Sequence, residues 1–274
     1  MVQETSDAGR QQHDMPSLGF GTWQNDDPEQ CATSVRTALE IGYRHVDTAQ
    51  VYENEAAVGD GVRSADVPRE DVFLASKVRR MNYDFETVLS STEESLERLG
   101  VDSVDLMYVH WPVHGYDPEE TLSAFQQLRD EGAIDRIGVS NFESRHVTEA
   151  VDILDDGPFA NQVEMHPLLP QEELRGVCAD HGVEVVAYSP LARGHVSEVP
   201  EVRSVAEKHR VSPFQVSLAW LREKGVTPIP KATSEDHIRD NFDSRSLDLD
   251  DEDVRAIDGI EETRRFNNPD YAPW

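Results

Sequence analysis

Cysteine is scarce in this sequence, and long apolar runs are missing. Among the 274 residues there are two cysteines, Cys31 and Cys178, and neither belongs to a Cys-x-x-Cys pair. A disulfide framework or a zinc site is therefore disfavoured, and we predict no metal. No apolar run approaches the ~20 residues that a membrane helix needs. Because the polar, acidic start is unlike a signal peptide, we expect a cytoplasmic protein outside the membrane, with residues 1–14 as a disordered arm.

Basic residues are also few. The sequence holds 54 acidic residues against 25 basic ones, a formal net charge of −29, and only four of the bases are lysines. Since a nucleic acid would be repelled, we expect no nucleic-acid partner. Two interpretations of this charge remain. One is an ordinary acidic protein with a solvated surface. The other, which we favour, is adaptation to very high salt, where a Debye length of ~3 Å screens the repulsion.

What the sequence does contain is a regular alternation of strand-like and helix-like segments. Eight short apolar or β-branched runs, each followed by a helical pattern, occur at residues 16–20, 44–47, 72–77, 104–110, 136–140, 160–164, 184–188 and 226–230. Such an alternation implies βαβ units and a parallel sheet. Two helical patterns, at about 200–209 and 213–224, separate the seventh run from the eighth. Two more, at 235–242 and near 250–261, follow the eighth.

Two folds fit this alternation, and the first strand distinguishes them. A doubly wound open sheet that binds a dinucleotide would carry Gly-x-Gly-x-x-Gly there, whereas residues 19–23 read Gly-Phe-Gly-Thr-Trp. We therefore predict a closed (β/α)8 TIM barrel with extra helices after strand 7 and at the C-terminus, as a single domain over residues 1–274. Asp27 and Asp117, each before a proline, predict helix starts, and Ser212 with Gln215 predicts a capping box.

Four polar side chains fall at the ends of predicted strands or just past them. Asp47, Lys77 and His110 close the second, third and fourth strands, and Tyr52 follows the second. The carboxyl ends of barrel strands meet on one face, where active sites lie. A tyrosine with its ordinary pKa of ~10 is a weak acid at neutral pH. We expect the Lys77 cation to lower that pKa and Asp47 to keep the lysine charged. His110 can either hydrogen-bond the substrate oxygen or share its proton with Tyr52.

Each of these residues, taken alone, has an ordinary explanation. A strand-end lysine is usually solvated, a tyrosine after a strand usually lies on a rim, and a lone histidine is usually structural. Four such groups on one face of a predicted barrel are far more specific. Together they suit proton delivery to a carbonyl oxygen while a second group delivers a hydride.

The chain resembles the aldo-keto reductase family from about residue 18 to residue 242. The resemblance lies in strand-end motifs: GFGTW at 19–23, GYRHVDTA at 42–49 with Tyr52 and Asn54-Glu55, IGVSNF at 137–142, NQVEMHP at 161–167, AYSPL at 187–191, and IPK at 229–231 with Asn241-Phe242. The short loop at 111–117 makes the chain similar to the microbial branch that acts on small carbonyl compounds, although such loops vary most.

The resemblance implies a nicotinamide cofactor held across the barrel mouth without a Rossmann domain, with Tyr52 as the general acid and Asp47, Lys77 and His110 assisting. Ser140, Asn141 and Gln162 would hydrogen-bond its carboxamide, and Tyr188 would stack on its ring. The residues expected to bind the cofactor are Gly21, Thr22, Asp47, Ser140, Asn141, Gln162, Tyr188, Ser189, Leu191, Lys231, Thr233, His237 and Asn241. Those expected to bind the substrate are Trp23, Tyr52, His110 and Trp111, with Trp274 as a further member of an aromatic rim.

Lys231 lies where the resemblance implies the 2′-phosphate of NADPH. Two departures from the family pattern weaken the case for strict NADPH use. Ala232 replaces the usual Ser or Thr, with Thr233 beside it, and His237 replaces the expected arginine. Because the planar fork of an arginine is lost, we expect NADPH as the cofactor and leave NADH open as a second choice.

The predicted function is NAD(P)H-dependent reduction of small aldehydes or ketones, such as keto sugars, to alcohols, carried out by a monomer. The alternative is a cofactor-binding regulatory or structural member of the fold with little turnover. Occupation of all four catalytic positions argues against that alternative. A barrel of another chemistry, such as a phosphate-handling isomerase, is disfavoured because no Gly-rich phosphate loop follows the seventh strand.

Dilution into low salt should loosen or unfold the protein, because the repulsion among its 54 acidic residues then loses its screening. The measurement is far-UV circular dichroism with thermal melts across a series of salt concentrations, from molar to millimolar. We expect Tm to rise with salt. A Tm that stays flat over the series contradicts adaptation to high salt and leaves the ordinary acidic protein.

Overall fold

The sheet of this protein is a parallel barrel whose strands follow one another in chain order. The computed structural model describes residues 15–274, so the arm predicted for residues 1–14 lies outside the described residues. The eight strands are β1 (Phe20–Gly21), β2 (His45–Asp47), β3 (Phe73–Val78), β4 (Leu106–Val109), β5 (Ile137–Ser140), β6 (Ala160–Glu164), β7 (Glu184–Tyr188) and β8 (Val226–Pro228). Each pairs in parallel with the next.

Two backbone hydrogen bonds join the last strand to the first. The N–H of Gly19 donates to Pro228 O at 2.9 Å, and the N–H of Gly21 donates to Pro230 O at 3.1 Å. The predicted (β/α)8 barrel is therefore confirmed. The bounds predicted for the first strand, 16–20, are wrong, because the ladder with β2 begins only at Phe20, and Pro16 has no N–H to donate. β4 ends one residue early, so His110 lies just beyond it.

Ten helices surround the sheet in the described part of the chain. They are α1 (Pro28–Ile41), α2 (Glu55–Ser64), α3 (Phe85–Leu99), α4 (Pro118–Asp130), α5 (Ser144–Ile153), α6 (Glu172–Asp180), α7 (Pro200–His209), α8 (Pro213–Glu223), α9 (Glu235–Asp243) and α10 (Asp251–Asp258). α7 and α8 both lie between β7 and β8, and α10 follows the last unit, as the sequence predicts. None of these helices has the length and apolar character that a membrane crossing requires.

The helix caps agree with the sequence except in one detail. Asp27 and Asp117 accept hydrogen bonds from the backbone N–H groups of the first turns of α1 and α4. Ser212 Oγ accepts the N–H of Gln215 at 3.1 Å, but the Gln215 side chain donates to Asp240 on α9 at 2.7 Å. The predicted capping box is thus only half formed, because the Gln215 amide is turned towards Asp240 and does not accept the Ser212 backbone N–H.

Residues buried on both faces of the strands explain why these segments form a barrel. β3 is buried along its whole length, as a strand must be when one face points into the barrel and the other packs under helices. Inside, Phe73, Leu106 and Tyr108 fill the space between the strands. Gly138 on β5 makes room for Tyr108, since a Cβ there would collide with the phenol ring. The barrel interior is therefore packed, and only its mouth is open.

The two cysteines lie in the helical layer, Cys31 in α1 and Cys178 in α6. Both are buried free thiols. Burial raises the pKa of each thiol to about 11, so both remain protonated at neutral pH. Neither cysteine is therefore a reactive nucleophile in the folded protein.

Candidate active site

A cleft of about 770 Å³ opens at the carboxyl ends of the strands. Residues within or just after all eight strands contribute to its wall. The predicted site residues that line it are Gly21, Thr22, Trp23, Asp47, Tyr52, His110, Trp111, Ser140, Asn141, Gln162, Tyr188, Ser189, Leu191 and Lys231. The topology thus brings together residues that lie as far apart in the sequence as Gly21 and Lys231.

A buried ion pair lies beneath the floor of the cleft. The Lys77 ammonium on β3 donates to the Asp47 carboxylate on β2 and to Thr48 O at 2.7 Å. Gln162 Nε2 donates to the second carboxylate oxygen of Asp47 at 2.7 Å. Burial raises the pKa of Asp47 and lowers the pKa of Lys77, and the contact between them opposes both shifts. Removing one partner would strand a buried charge, at a cost of about 3–5 kcal/mol.

Tyr52 lies above this pair, in a short turn at Gln50–Tyr52 that follows β2. The Lys77 ammonium is 5.3 Å from the centroid of the Tyr52 ring. Burial, and then the charge of Asp47, nevertheless raise the pKa of Tyr52 well above its usual value. The lowering expected from the sequence is therefore wrong in sign, because burial of the phenol raises its pKa and Asp47 offsets the charge of the lysine that was to lower it. Tyr52 keeps its proton at any working pH.

His110 faces Tyr52 across the cleft. The two rings are 6.0 Å apart between centroids and stand edge to face at 80°. Burial, together with the charges of Lys77 and Arg80, lowers the pKa of His110 well below its usual value. The imidazole is therefore neutral at neutral pH and offers one N–H donor and one acceptor nitrogen.

The opposite wall carries a connected set of amide and hydroxyl groups. Tyr188 OH donates to Asn141 Oδ1 at 2.8 Å, and Asn141 Nδ2 donates to His110 O at 3.0 Å. Ser140 Oγ donates to Gln162 O at 2.8 Å. Asn141 adopts a left-handed backbone conformation with φ at 60°, and Ser189 does so with φ at 49°. Such conformations cost energy in residues other than glycine and concentrate at functional sites.

Asn54 and Glu55, the last residues of the motif after β2, hold the Tyr52 turn in place. Asn54 Nδ2 donates to Thr22 O at 2.9 Å, which ties the loop after β2 to the loop after β1. The buried Glu55 carboxylate accepts a hydrogen bond from Ser76 Oγ at 2.6 Å and pairs with Arg98 at 2.8 Å. The motif thus holds the Tyr52 turn in position and also supplies reactive groups.

Four predicted site residues do not line the cleft. Lys77 lies below it, and Thr233, His237 and Asn241 lie beyond its lining. His237 is exposed on the first turn of α9. Its backbone N–H donates to Ser234 Oγ, the N-cap of that helix, at 3.4 Å. Asn241 is buried on the same helix.

The aromatic rim predicted from the sequence is only partly formed around the cleft. Trp274 packs on Trp111, with ring centroids 5.5 Å apart, yet it borders a separate cavity of about 410 Å³. Trp111 also meets Tyr271 edge to face, with centroids 5.4 Å apart, and both of those rings line the cleft.

Sequence reasoning missed seven polar or aromatic residues of the lining, namely Gln24, Asp26, Arg79, Arg80, Arg193, Asn267 and Tyr271. Arg79 and Arg80 could have been predicted from the sequence, because they directly follow the end of a barrel strand. Arg193 lies 5.3 Å from the Trp23 ring centroid, in the segment after β7. Asn267 and Tyr271 belong to the C-terminal tail, which has no motif to mark it.

Glu164, at the end of β6, anchors that tail. The buried Glu164 carboxylate accepts the backbone N–H groups of Phe266 and Asn267, each at 2.7 Å, and a bond from His166 at 3.0 Å. Asn267 Nδ2 then donates to Tyr188 OH at 2.9 Å. The tail therefore reaches the cleft wall because Glu164 holds it.

The Glu164 carboxylate is charged in this arrangement. Burial alone would raise its pKa, but the hydrogen bonds from His166, Phe266 and Asn267 outweigh burial and lower it. A carboxyl with a lowered folded-state pKa contributes stability that is fully present above its ordinary pKa. That contribution is lost as the pH falls through the folded-state value.

Comparison with known proteins identifies relatives over nearly the whole chain. The model of the aldo/keto reductase family matches residues 17–262. The chain is 39% identical over 260 residues to a 9,11-endoperoxide prostaglandin H2 reductase of Trypanosoma cruzi, covering 93% of this chain and 92% of that protein. It is 39% identical over 259 residues to a glyoxal reductase of Bacillus subtilis, covering 94% and 93%.

Solved structures agree with this similarity. The crystal structure of an aldo/keto reductase from Brucella melitensis superimposes with a TM-score of 0.85 at 37% identity, covering 90% of this chain and 94% of that chain. An aldose reductase from Schistosoma japonicum superimposes with a TM-score of 0.87 at 32% identity, covering 93% and 91%.

Glu164→Gln should release the tail while leaving the barrel folded. Glutamine presents one acceptor oxygen and no charge, so at least one backbone N–H loses a charged acceptor, and such a bond stabilises by about 1.5–3 kcal/mol. Hydrogen exchange of the amides of Phe266 and Asn267 should accelerate by roughly 10- to 100-fold. Glu172→Gln, on the exposed start of α6, is the control. Equal exchange in the two variants contradicts the anchoring role of Glu164.

Proposed function

Since the chain belongs to the aldo/keto reductase family, an oxidoreductase family that reduces carbonyl compounds and generally uses NAD(P)H, we propose that it reduces small aldehydes and ketones to alcohols with NADPH, Tyr52 being the general acid. The observation that carries this proposal is the protonated Tyr52 hydroxyl beside a neutral His110, above the buried Asp47–Lys77 pair. Proton donation to a carbonyl oxygen needs such a set of groups.

The cleft residues fit a nicotinamide cofactor. The side chains of Ser140, Asn141 and Gln162 are amides and a hydroxyl, which match the mixed donor and acceptor character of a carboxamide. Tyr188 supplies an aromatic surface in the same wall, and the exposed Lys231 supplies a cation after β8 for a phosphate. The reduced nicotinamide, when bound, supplies the hydride to the carbonyl carbon.

The chain's own residues then handle the proton. Tyr52 donates its phenolic proton to the carbonyl oxygen, and the neutral imidazole of His110 donates a hydrogen bond to the same oxygen. The ammonium of Lys77, 5.3 Å from the ring centroid, stabilises the phenolate that this transfer leaves. Because burial and Asp47 raise the pKa of Tyr52, the phenolate is a strong base and regains its proton readily.

Cofactor choice follows from Lys231 and from what surrounds it. A lysine binds a 2′-phosphate as a point charge. His237 and Thr233 are exposed and lie outside the cleft lining, which leaves Lys231 as the basic residue of the lining after β8. We therefore propose NADPH as the preferred cofactor by a narrow margin over NADH.

The proposal predicts loss of reduced nicotinamide absorbance when the protein is mixed, at molar salt, with NADPH or NADH and a panel of neutral carbonyls. Suitable members are methylglyoxal, glyceraldehyde and 4-nitrobenzaldehyde. Turnover with any of them, faster with NADPH, agrees with the proposal. Tight cofactor binding without turnover on the whole panel supports the regulatory alternative instead.

Tyr52→Phe should abolish most turnover and leave cofactor affinity nearly intact. The hydroxyl that donates the proton is lost while the ring still fills its place, so kcat should fall by about 10²–10⁴-fold. The measurements are steady-state kinetics and a fluorescence titration with NADPH.

Tyr116→Phe is the matched control, because the Tyr116 hydroxyl is buried outside the cleft lining and has no hydrogen-bond partner in the described structure. Its kcat should stay close to wild type. If Tyr52→Phe keeps more than about a tenth of the wild-type kcat, Tyr52 is not the general acid.

A further inference from the structure

The cleft is basic although the protein as a whole is strongly acidic. Its lining contains four bases, Arg79, Arg80, Arg193 and Lys231, and two acids, Asp26 and Asp47. Asp47 is already neutralised by Lys77 below the floor. The surrounding chain carries a formal charge of −29. A basic cleft in an acidic surface concentrates anions at one place and repels them elsewhere.

The four bases fall into two groups by their place around the barrel. Lys231 follows β8 and Arg193 follows β7, on the side where the proposed cofactor binds. Arg79 and Arg80 follow β3, next to the strands that carry Tyr52 and His110. The cofactor's own phosphates therefore do not account for the second group.

Contacts fix Arg80 on the wall that the reacting oxygen would face. Its guanidinium carbon lies 3.9 Å from the ring centroid of Tyr271, a cation–π distance. Tyr271 in turn meets Trp111, the residue after His110. The charge of Arg80 also contributes to lowering the pKa of His110. Arg80 thus lies near enough to the proton-transfer groups to act on them electrostatically.

Neither arginine is paired with a carboxylate in residues 15–274. Other arginines of the chain are, such as Arg63 with Asp60 at 2.6 Å and Arg69 with Asp105 at 3.0 Å. Arg80 Nε is buried without a hydrogen-bond partner among the described residues. In a chain with 54 acids, an unneutralised pair of guanidinium groups in a cleft leaves several N–H donors free.

Arg79 is held in place through its backbone. Its N–H donates to Gln50 Oε1 at 3.0 Å, and Gln50 Nε2 donates to Ser91 O at 3.0 Å on α3. Gln50 begins the turn that ends at Tyr52. The same side chain therefore fixes the arginine segment relative to the turn that carries the phenol, which keeps the two at a constant separation.

We propose that Arg80, assisted by Arg79, binds an anionic group on the carbonyl substrate, so that the protein prefers aldehydes and ketones that carry a carboxylate or a phosphate. A guanidinium presents parallel N–H donors that match two oxygens of either anion. This inference rests on the proposed function, because it names the substrate class of the same site. It changes the expected substrate from a neutral small carbonyl to an anionic one.

Matched substrates test the proposal. 4-Carboxybenzaldehyde and 4-nitrobenzaldehyde have nearly the same shape and differ in charge, and glyceraldehyde 3-phosphate and glyceraldehyde form a second such pair. Wild type should show a higher kcat/KM for the anion than for the neutral partner in at least one pair. Which pair shows the preference distinguishes a carboxylate from a phosphate. In Arg80→Gln, kcat/KM for that anion should fall by roughly 10- to 100-fold, mainly through KM, as for loss of hydrogen bonds to a charged group. The neutral partner should fall much less.

Three further variants keep the result interpretable. Arg80→Lys retains the charge without the planar fork and should recover part of the anion preference. Arg79→Gln should lower the preference by a smaller factor than Arg80→Gln, which provides a second reading if Arg80→Gln does not fold. Arg36→Gln is the matched control, since Arg36 lies on the exposed face of α1 in a weak pair with Glu40.

The outcomes separate this inference from the proposed function. If wild type reduces the neutral carbonyls, but the ratio of kcat/KM between anion and neutral is unchanged in the Arg80 and Arg79 variants, the anion site is wrong and the reductase stands. If wild type reduces neither member of either pair and does not reduce methylglyoxal, the proposed function itself fails. A parallel fall for both members of a pair in Arg80→Gln also overturns the anion site, because it assigns Arg80 a general structural role.

Discussion

The buried contact between Asp47 and Lys77 is the interaction on which the geometry of the cleft depends. It joins β2 to β3 at the carboxyl ends of the strands, and Gln162 ties it to β6 across the barrel. Two opposite charges at 1% exposure or less are tolerable only together. The pair has another consequence, since Asp47 cancels most of the field by which Lys77 would turn Tyr52 into a phenolate. In the proposed mechanism the resting Tyr52 is therefore the proton donor, and the Lys77 ammonium lies 5.3 Å from its ring centroid.

The charge of the whole chain and the charge of the cleft have opposite signs, and the difference in screening between the surface and the cleft accounts for both. Acids cover the surface, where water and salt screen them. Bases remain where screening is weakest, in the concave mouth, and there Arg79 and Arg80 have no acidic partner among the described residues. An anionic ligand would meet repulsion over most of the surface and attraction at the cleft, so its approach is directed as well as its binding.

Much of the fold and of the candidate site follows from the sequence, for a physical reason. Alternating strands and helices dictate a parallel barrel, and a parallel barrel brings the residues at strand ends onto one face. Asp47, Lys77 and His110 are foreseeable on that ground alone. The contact between Glu164 and Phe266 is not, because 102 residues separate them and no local pattern marks Phe266. The direction of the pKa shift of Tyr52 also cannot be predicted from the sequence, since it depends on burial and on which of two opposite charges lies nearer.

The C-terminal tail connects the two walls of the cleft that the proposals assign to different ligands. Glu164 anchors it at β6, and from there Asn267 reaches Tyr188 on the wall proposed for the cofactor. Four residues further on, Tyr271 packs under Arg80 on the wall proposed for the substrate anion. A displacement of the tail would therefore alter both walls at once. Because the Glu164 carboxylate anchors the start of this segment, a residue outside the cleft lining contributes to the spacing between the wall proposed for the cofactor and the wall proposed for the anion.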